Sequence, residues 1–488
     1  MKKFGLGILL ILLLFVVYLL VKTFTFTSNQ LQTKAIDKVP IDEFSIAHFQ
    51  EALRLKTISF ENTEDFDASA FEAFNALLHK NYPLIDSLLD HRIFSKYSHL
   101  YKWSGTNSTL KPIVLMGHID VVPIASPDKW SVDPFSGEIK DGKIWGRGTI
   151  DDKFSVIGIL EAVEMLLSEN YEPERTVYLS FGHDEEIGGE KGAVLIAEHL
   201  ASQGVEAEYV LDEGYAITQK LVPGIDADVA MIGVGEKGST TIEFTVDMEG
   251  GHSSQPAKET AIDVLATAIS KLKANPLEAS LSGAMNGFMD QLGPEMGFVN
   301  KMAFANRGLF KGMIIGTYES ASNAGNALVR TTTAPTIFEA GIKENVIPTY
   351  ARAVVNFRII PGQTAGDIME HANKTISDDR VKAKFYGFNT NPSPVSPLDS
   401  DGYNVINKTI KQVFEQTLTG PNLVIAATDS RHFGAVSSNI YRFVPYHINE
   451  ENINTFHGID ERIPVEDYKD AIRFYMQLIR NSTYNGVQ

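Results

Sequence analysis

The chain has 488 residues, more than a single core usually holds, so two domains are the default. A hydrophobic share of 44% and a charged share of 21% are those of a globular protein, and a net charge of -18 argues against a nucleic-acid partner, whose phosphates need a concentrated positive field. The absence of cysteine excludes disulfides, thiolate nucleophiles and cysteine-held zinc, so any metal must sit on His, Asp and Glu.

The first residues predict a transmembrane signal anchor. Lys2 and Lys3 precede an uncharged apolar run, residues 4–21, long enough to be a membrane span. No small-x-small cleavage signal follows, because Leu20-Val21-Lys22-Thr23-Phe24 is bulky throughout. The positive-inside bias keeps the two lysines in the cytoplasm and places the rest in a periplasmic, lumenal or extracellular space. The alternative, a cleaved secretory signal, exports the body as well. Residues 22–44 then read as a polar, irregular stalk.

Helical patterning from Ile41 runs through Ala70, Phe71, Phe74, Leu77 and Leu78. A buried strand, Pro112 to Met116, leads into Gly117-His118-Ile119-Asp120, and Gly146-Arg147-Gly148 leads into a helix beginning near Asp152. The strand Val177 to Phe181 delivers Glu185 and Glu186 to the glycine turn Gly188-Gly189, and a helix follows from about Lys191. The strand Glu208 to Leu211 ends at Asp212-Glu213-Gly214. Strands alternating with helices predict an α/β fold, a mixed central sheet flanked by helices with functional residues at strand ends. Near Gly235 the pattern changes. Thr241 to Val246 alternates strictly; a helix (Thr260 to Lys273), strands (Arg330 to Ala340, Ala351 to Ile360), a helix (Ala365 to Ser377) and a strand (Val381 to Tyr386) follow. This β-α-β-β-α-β order predicts a split-βαβ, ferredoxin-like α+β lid inserted at 237–390, between body segments 45–236 and 391–488. Within the insertion, Leu281 to Ser320 holds five of the twelve methionines and four phenylalanines, read as helical packing inside the lid or an adaptable apolar surface.

Five dispersed motifs carry the chemistry. His118-x-Asp120 pairs an imidazole with an orienting carboxylate. Asp151 precedes a helix, where a capping role competes. Glu185-Glu186 and Asp212 sit at strand ends, and His457 lies in a loop before the last helix. Separately each fits a structural role; together they supply two imidazoles and several carboxylates at one sheet edge, the inventory of a two-metal hydrolase.

These motifs resemble the carboxypeptidase G, carboxypeptidase S and aminoacylase family of co-catalytic zinc metallohydrolases. The likeness rests on Gly117 to Pro123, Gly146 to Lys153, Asp184 to Gly189, Leu211 to Gly214 and His457 to Ile463, and spans about residues 45 to 480. The run Arg330 to Thr336 and the long lid resemble the carboxypeptidase S and N-fatty-acyl-amino-acid hydrolase/synthase branch. The resemblance implies that Asp151 bridges two metals, with Glu186 and His457 completing one site and His118 and Asp212 the other. It implies Glu185 as general base and then acid, Asp120 as the group orienting His118, and His252, Asn345 and Arg358 as substrate-binding residues. It also implies a homodimer formed through the lid. Two zinc ions per subunit are expected, with cobalt or manganese able to replace them.

The expected reaction is hydrolysis of the amide of an N-acyl amino acid or short peptide, releasing an amino acid with a free carboxylate. A planar guanidinium at Arg358 suits that carboxylate. Between the two substrate classes, the Met- and Phe-rich segment and the anchor favour lipidic amides. A non-catalytic, metal-supported binding protein on the same fold is the reading from another class; loss of a ligand or of Glu185 would mark it, and every position is filled.

Overall fold

The structure is a computed structural model that describes residues 2–483. Its centre is an eight-stranded mixed sheet in the order Asp90–Phe94, Ser98–Trp103, Val177–Gly182, Ile113–His118, Tyr209–Thr218, Ile440–Ile448, Val229–Glu236 and Leu418–Val424. The strands 177–182, 113–118, 209–218 and 440–448 run parallel. Parallel strands are covered on both faces, and alternation along 113–118 shows how. Ile113 and Leu115 enter the core beneath the helices Lys153–Ser168 and Val465–Thr483, while Val114 and Met116 face Ile196 and Phe433 on the other side. Each such fully buried side chain stabilises by roughly 1.5–3 kcal/mol. The parallel arrangement brings the carboxyl ends of 113–118 and 177–182 together, with His118 opposite Gly182.

A second, four-stranded antiparallel sheet has the order Thr332–Ala340, Tyr350–Ile359, Gly238–Asp247, Val381–Phe385. Numbered along the chain, its strands lie 2-3-1-4, the arrangement that the β-α-β-β-α-β pattern predicts. The helices Ala261–Ala274 and Ala365–Ile376 cover one face, and each begins with a reciprocal capping box, Thr260 with Asp263 and Thr364 with Asp367.

Three expectations need correction. The Met-rich segment does not join the core of the smaller sheet. Phe288, Met289, Leu292, Met296 and Phe304 instead pack with Val229 and Met231 of the central sheet, covering its edge strand 418–424. Flexible thioethers fill the irregular gap between that strand and the short helices above it. The expected stalk is irregular but not loose. Gln30 donates to the carbonyls of Gln291 and Thr419, its Oε1 accepts from the Thr419 amide and Lys411, and Ile36 donates to the Gln412 carbonyl. Farther along, Lys38 pairs with Asp470 at 2.9 Å. The N-terminal helix is also longer than residues 4–21, running over Lys2–Thr25. Residues 484–488 of the last predicted segment lie outside the described residues.

Candidate metal centre

His118 ends the strand 113–118, and its ring is fully buried. Nδ1 lies 3.0 Å from the Asp120 carbonyl and 3.3 Å from Asp120 Oδ1. Donation from Nδ1 leaves Nε2 as the free nitrogen, and Nε2 points at Asp151 Oδ1 (2.9 Å) and Glu213 Oε1 (3.5 Å). Asp151 Oδ2 lies 2.6 Å from His457 Nε2, which is 3.3 Å from Glu186 Oε2. Asp151 thus stands between two imidazoles. Among the described residues, two triplets have ligand atoms within 4.8 Å of one another: His118, Asp151 and Glu213, and Asp151, Glu186 and His457.

Asp120 binds this arrangement together. Its Oδ2 accepts from Ser59 Oγ at 2.6 Å, and its two oxygens accept the backbone amides of Glu185 and Glu186 at 3.2 Å each. One carboxylate therefore orients His118 and fixes the turn that carries the glutamate pair. Beyond the pair, Gly188 and Gly189 have φ of 114° and 74°, a region side-chain-bearing residues rarely adopt. A second buried pair shapes the opposite wall. Glu461 Oε2 meets Arg147 Nη1 at 2.5 Å, and its Oε1 accepts the amides of Gly148 (3.1 Å), Ile150 (2.7 Å) and Asp151 (3.3 Å). Arg147 Nη2 also donates to the Gly458 carbonyl at 2.8 Å, joining the loop of Asp151 to the loop of His457.

The strand expected to end at Leu211 runs on over Tyr209–Thr218, and this reassigns one residue. Neighbours on a strand point to opposite faces. Asp212 therefore turns away from His118 and accepts the Ser430 amide at 2.8 Å, while Glu213 faces His118 and Asp151. Glu213 takes the place expected of Asp212, and period-two alternation carried through Gly214 was the signal for it. Asp429, also unforeseen, is buried beside Gly182 and Gly189, and among the described residues neither of its oxygens has a hydrogen-bond partner.

The electrostatics are those of crowded carboxylates. Burial, together with the charge on Asp151, pushes Glu213 well above the usual carboxylate range. Burial raises Glu185 in the same direction, reinforced by Glu213, Asp429 and Glu186 against the opposing charge of His118. Burial opposes ionisation of Asp151 as well, but hydrogen bonds from His118 and His457 prevail and hold it below the usual range. Hydrogen bonds to Asp151 and Glu186 push His457 up to about 10. Glu186 Oε1 is buried without a hydrogen-bond partner among the described residues. A carboxylate-rich cluster with an orphaned oxygen and two converging imidazoles fits divalent cations, which would relieve the repulsion.

Three expected substrate residues lie outside both triplets. His252 is exposed on the short strand Gly251–His252, paired with Val346–Ile347, and Nδ1 contacts Ser254 Oγ at 2.8 Å. Among the described residues no hydrogen bond or ion pair joins it to the cluster. Asn345 sits beside it, its carbonyl accepting the Ser253 amide at 3.2 Å. Arg358 lies on the strand 350–359 opposite Ser239, and burial followed by the charge of Arg431 lowers its pKa. Arg431 itself donates to the Gly188 carbonyl at 3.0 Å, beside the glutamate turn.

Comparison with known proteins identifies a family and a fold. The family described as Peptidase family M20/M25/M40 matches residues 114–481. A probable carboxypeptidase S-like protein of Dictyostelium discoideum is 42% identical, over 98% of this chain and 92% of the relative. An N-fatty-acyl-amino acid synthase/hydrolase of Xenopus tropicalis is also 42% identical, over 89% of this chain and 85% of the relative. In fold, the chain is similar to an M20 family metallo-carboxypeptidase from Sulfolobus solfataricus, with a TM-score of 0.67 at 20% identity, covering 90% of this chain and 99% of that one.

Proposed function

The chain belongs to peptidase family M20/M25/M40 and is a metal-dependent hydrolase; from that premise we propose that it cleaves the amide bond of N-acyl amino acids, releasing an amino acid with a free carboxylate. The observation that carries the reading is the pair of ligand triplets sharing Asp151, with Glu185 beside them and in neither. His118, Asp151 and Glu213 would hold one divalent cation, and Asp151, Glu186 and His457 a second, with zinc suited to the set and cobalt or manganese able to replace it. When bound, such ions supply Lewis-acid polarisation of the scissile carbonyl and acidify water.

The side chains do the rest. Glu185, held by Asp120 through its own amide and raised above the usual carboxylate range by burial, takes the proton of the attacking water and passes it to the departing amine. Arg358 and Arg431 place two guanidinium groups where the carboxylate of the amino-acid portion can be received. His252 is displayed at the surface of the smaller, lid-like sheet with Asn345 beside it. Homodimerisation through that sheet would bring it to a partner's substrate, where a donor to the developing oxyanion counts most. The N-terminal helix is read as the anchor that holds this body outside the membrane.

Likeness to the synthase/hydrolase supports fatty-acyl amides and reaction in both directions; likeness to the carboxypeptidase S-like protein supports short peptides as the second reading. Comparing Gly-Leu with N-oleoyl amino acids on one preparation separates them. Glu185→Gln should retain its metals and lose most turnover at every pH. Near-normal activity in that variant would refute the assignment of the base.

A further inference from the structure

The N-terminal helix does not stand apart from the body. Thr23 is buried, Asn306 Nδ2 lies 3.3 Å from the Leu19 carbonyl and 3.4 Å from Thr23 Oγ1, and the rings of Phe24 and Phe298 approach to 6.2 Å. Phe26 then packs against Phe304 and Gly293. These contacts fix a depth. A bilayer's hydrocarbon takes about 20 helical residues, so with Lys2 and Lys3 at one headgroup layer its far edge falls near Phe24. The helix Phe298–Ala305 lies against the last turns of the span, and Arg307–Ala321 follows directly from it, so the pair begins at the level of the opposite headgroups.

Their surfaces suit that level. One side is committed to the body, with Ala303, Phe304 and Ile314 buried beside Met231. The other displays Phe298 (50% exposed), Val299 (70%), Leu309 (55%) and Met313 (54%). Lys301 and Lys311 lie among them, while Arg307 is paired with Asp290 at 2.5 Å and Glu319 sits near the end of the second helix, in a chain whose net charge is -18. Apolar side chains interleaved with lysines suit a helix lying in a membrane interface, where anionic headgroups meet the lysines.

We propose that the helix pair 298–305 and 307–321 seats its exposed apolar side chains in the outer leaflet, at the headgroup–acyl boundary beside the N-terminal span. The proposal rests on that span crossing the bilayer. The occupant is phospholipid, because the docked span brings a bilayer to this face and Lys301 and Lys311 offer cations to its anionic headgroups. An apolar substrate dissolved in the bilayer would then meet the enzyme on the side already in contact with its solvent.

The cysteine-free chain allows single labels. Full-length protein carrying Val299→Cys, Leu309→Cys, Leu12→Cys or Ser438→Cys is labelled with an environment-sensitive fluorophore. Each is placed in phosphatidylcholine–phosphatidylserine vesicles with brominated acyl chains. Labels at 299 and 309 should be quenched severalfold more than the label at 438, and adding Lys311→Glu should weaken that quenching. Quenching at 12 but not at 299 or 309 overturns the proposal and leaves the span intact. No quenching at 12 overturns the span itself and the proposal with it. Protection of the 309 label that depends on protein concentration and not on bromolipid assigns the face to a second copy, which also overturns it.

Discussion

Replacing Glu461 with glutamine leaves Arg147 buried without its counter-charge, in a place where water cannot replace it. Both side chains are almost fully buried, and their contact is 2.5 Å. Removing one member of a buried pair costs about 3–5 kcal/mol. The glutamine also turns an NH2 group toward donors that now meet one of the two carboxylate oxygens, which keeps the estimate at the upper end. Unfolding entropy near 2.1 cal/mol/K per residue, over a body of roughly 440 residues, gives about 0.9 kcal/mol/K, so the melting temperature should fall by about 3–5 °C. The function should suffer more than the fold. Arg147 and Glu461 join the loops of Asp151 and His457, so loosening them separates two ligands of one triplet. Thermal unfolding and elemental analysis after dialysis measure both effects. The double variant Arg147→Met/Glu461→Met removes both charges and should be more stable than Glu461→Gln alone, because no charge is left stranded. A Glu461→Gln protein that melts within about 1 °C of the parent and keeps its full metal content would refute the reasoning.

Other expectations follow from the same geometry. Glu213→Gln should lose one metal equivalent, whereas Asp212→Asn should keep both, losing stability through its bond to the Ser430 amide; metal titration of the two variants distinguishes them. In the metal-free protein His457 has a pKa near 10, raised from 6.5. Its stabilisation is therefore complete below pH 6.5 and is lost as the pH climbs toward 10. Melting temperature of chelator-treated protein should fall across that window, and metal uptake near pH 7.5 should release protons, as calorimetry in buffers of different ionisation enthalpy would show. A flat profile in both would refute the protonated state of His457. Gly189→Ala would set a methyl group on the Asp429 carboxylate at a φ of 74°, and should lower both expression and turnover.

What could be read from the sequence was whatever local chemistry dictates. The strand 113–118, the helix after Asp152 and the order of elements in the smaller sheet all follow from periodicity and turn residues. The strands 418–424 and 440–448 were missed, since Thr-Gly-Pro-Asn and Tyr-Arg-Phe-Val-Pro show neither clean alternation nor a helical face. Their identity is decided by neighbours far along the chain, 229–236 and 209–218. The same distinction holds in the site. His118, Asp151, Glu186 and His457, which the structure brings together, could be picked out by residue type and company. The choice of Glu213 over Asp212 depended on how far a strand extends, which pairing with 440–448 determines. Arg147 and Glu461 stand 314 residues apart, and only folding brings their charges together.

The position of Asp120 has a consequence for how such a site can change over time. Because one side chain contacts an imidazole and the peptide groups of two glutamates, the proposed proton-transfer group and the proposed cation ligands share one fixed point. Drift at that position alters both at once. A lineage could vary the surroundings of Arg358 and Arg431, where we propose the substrate carboxylate is received, without touching that point.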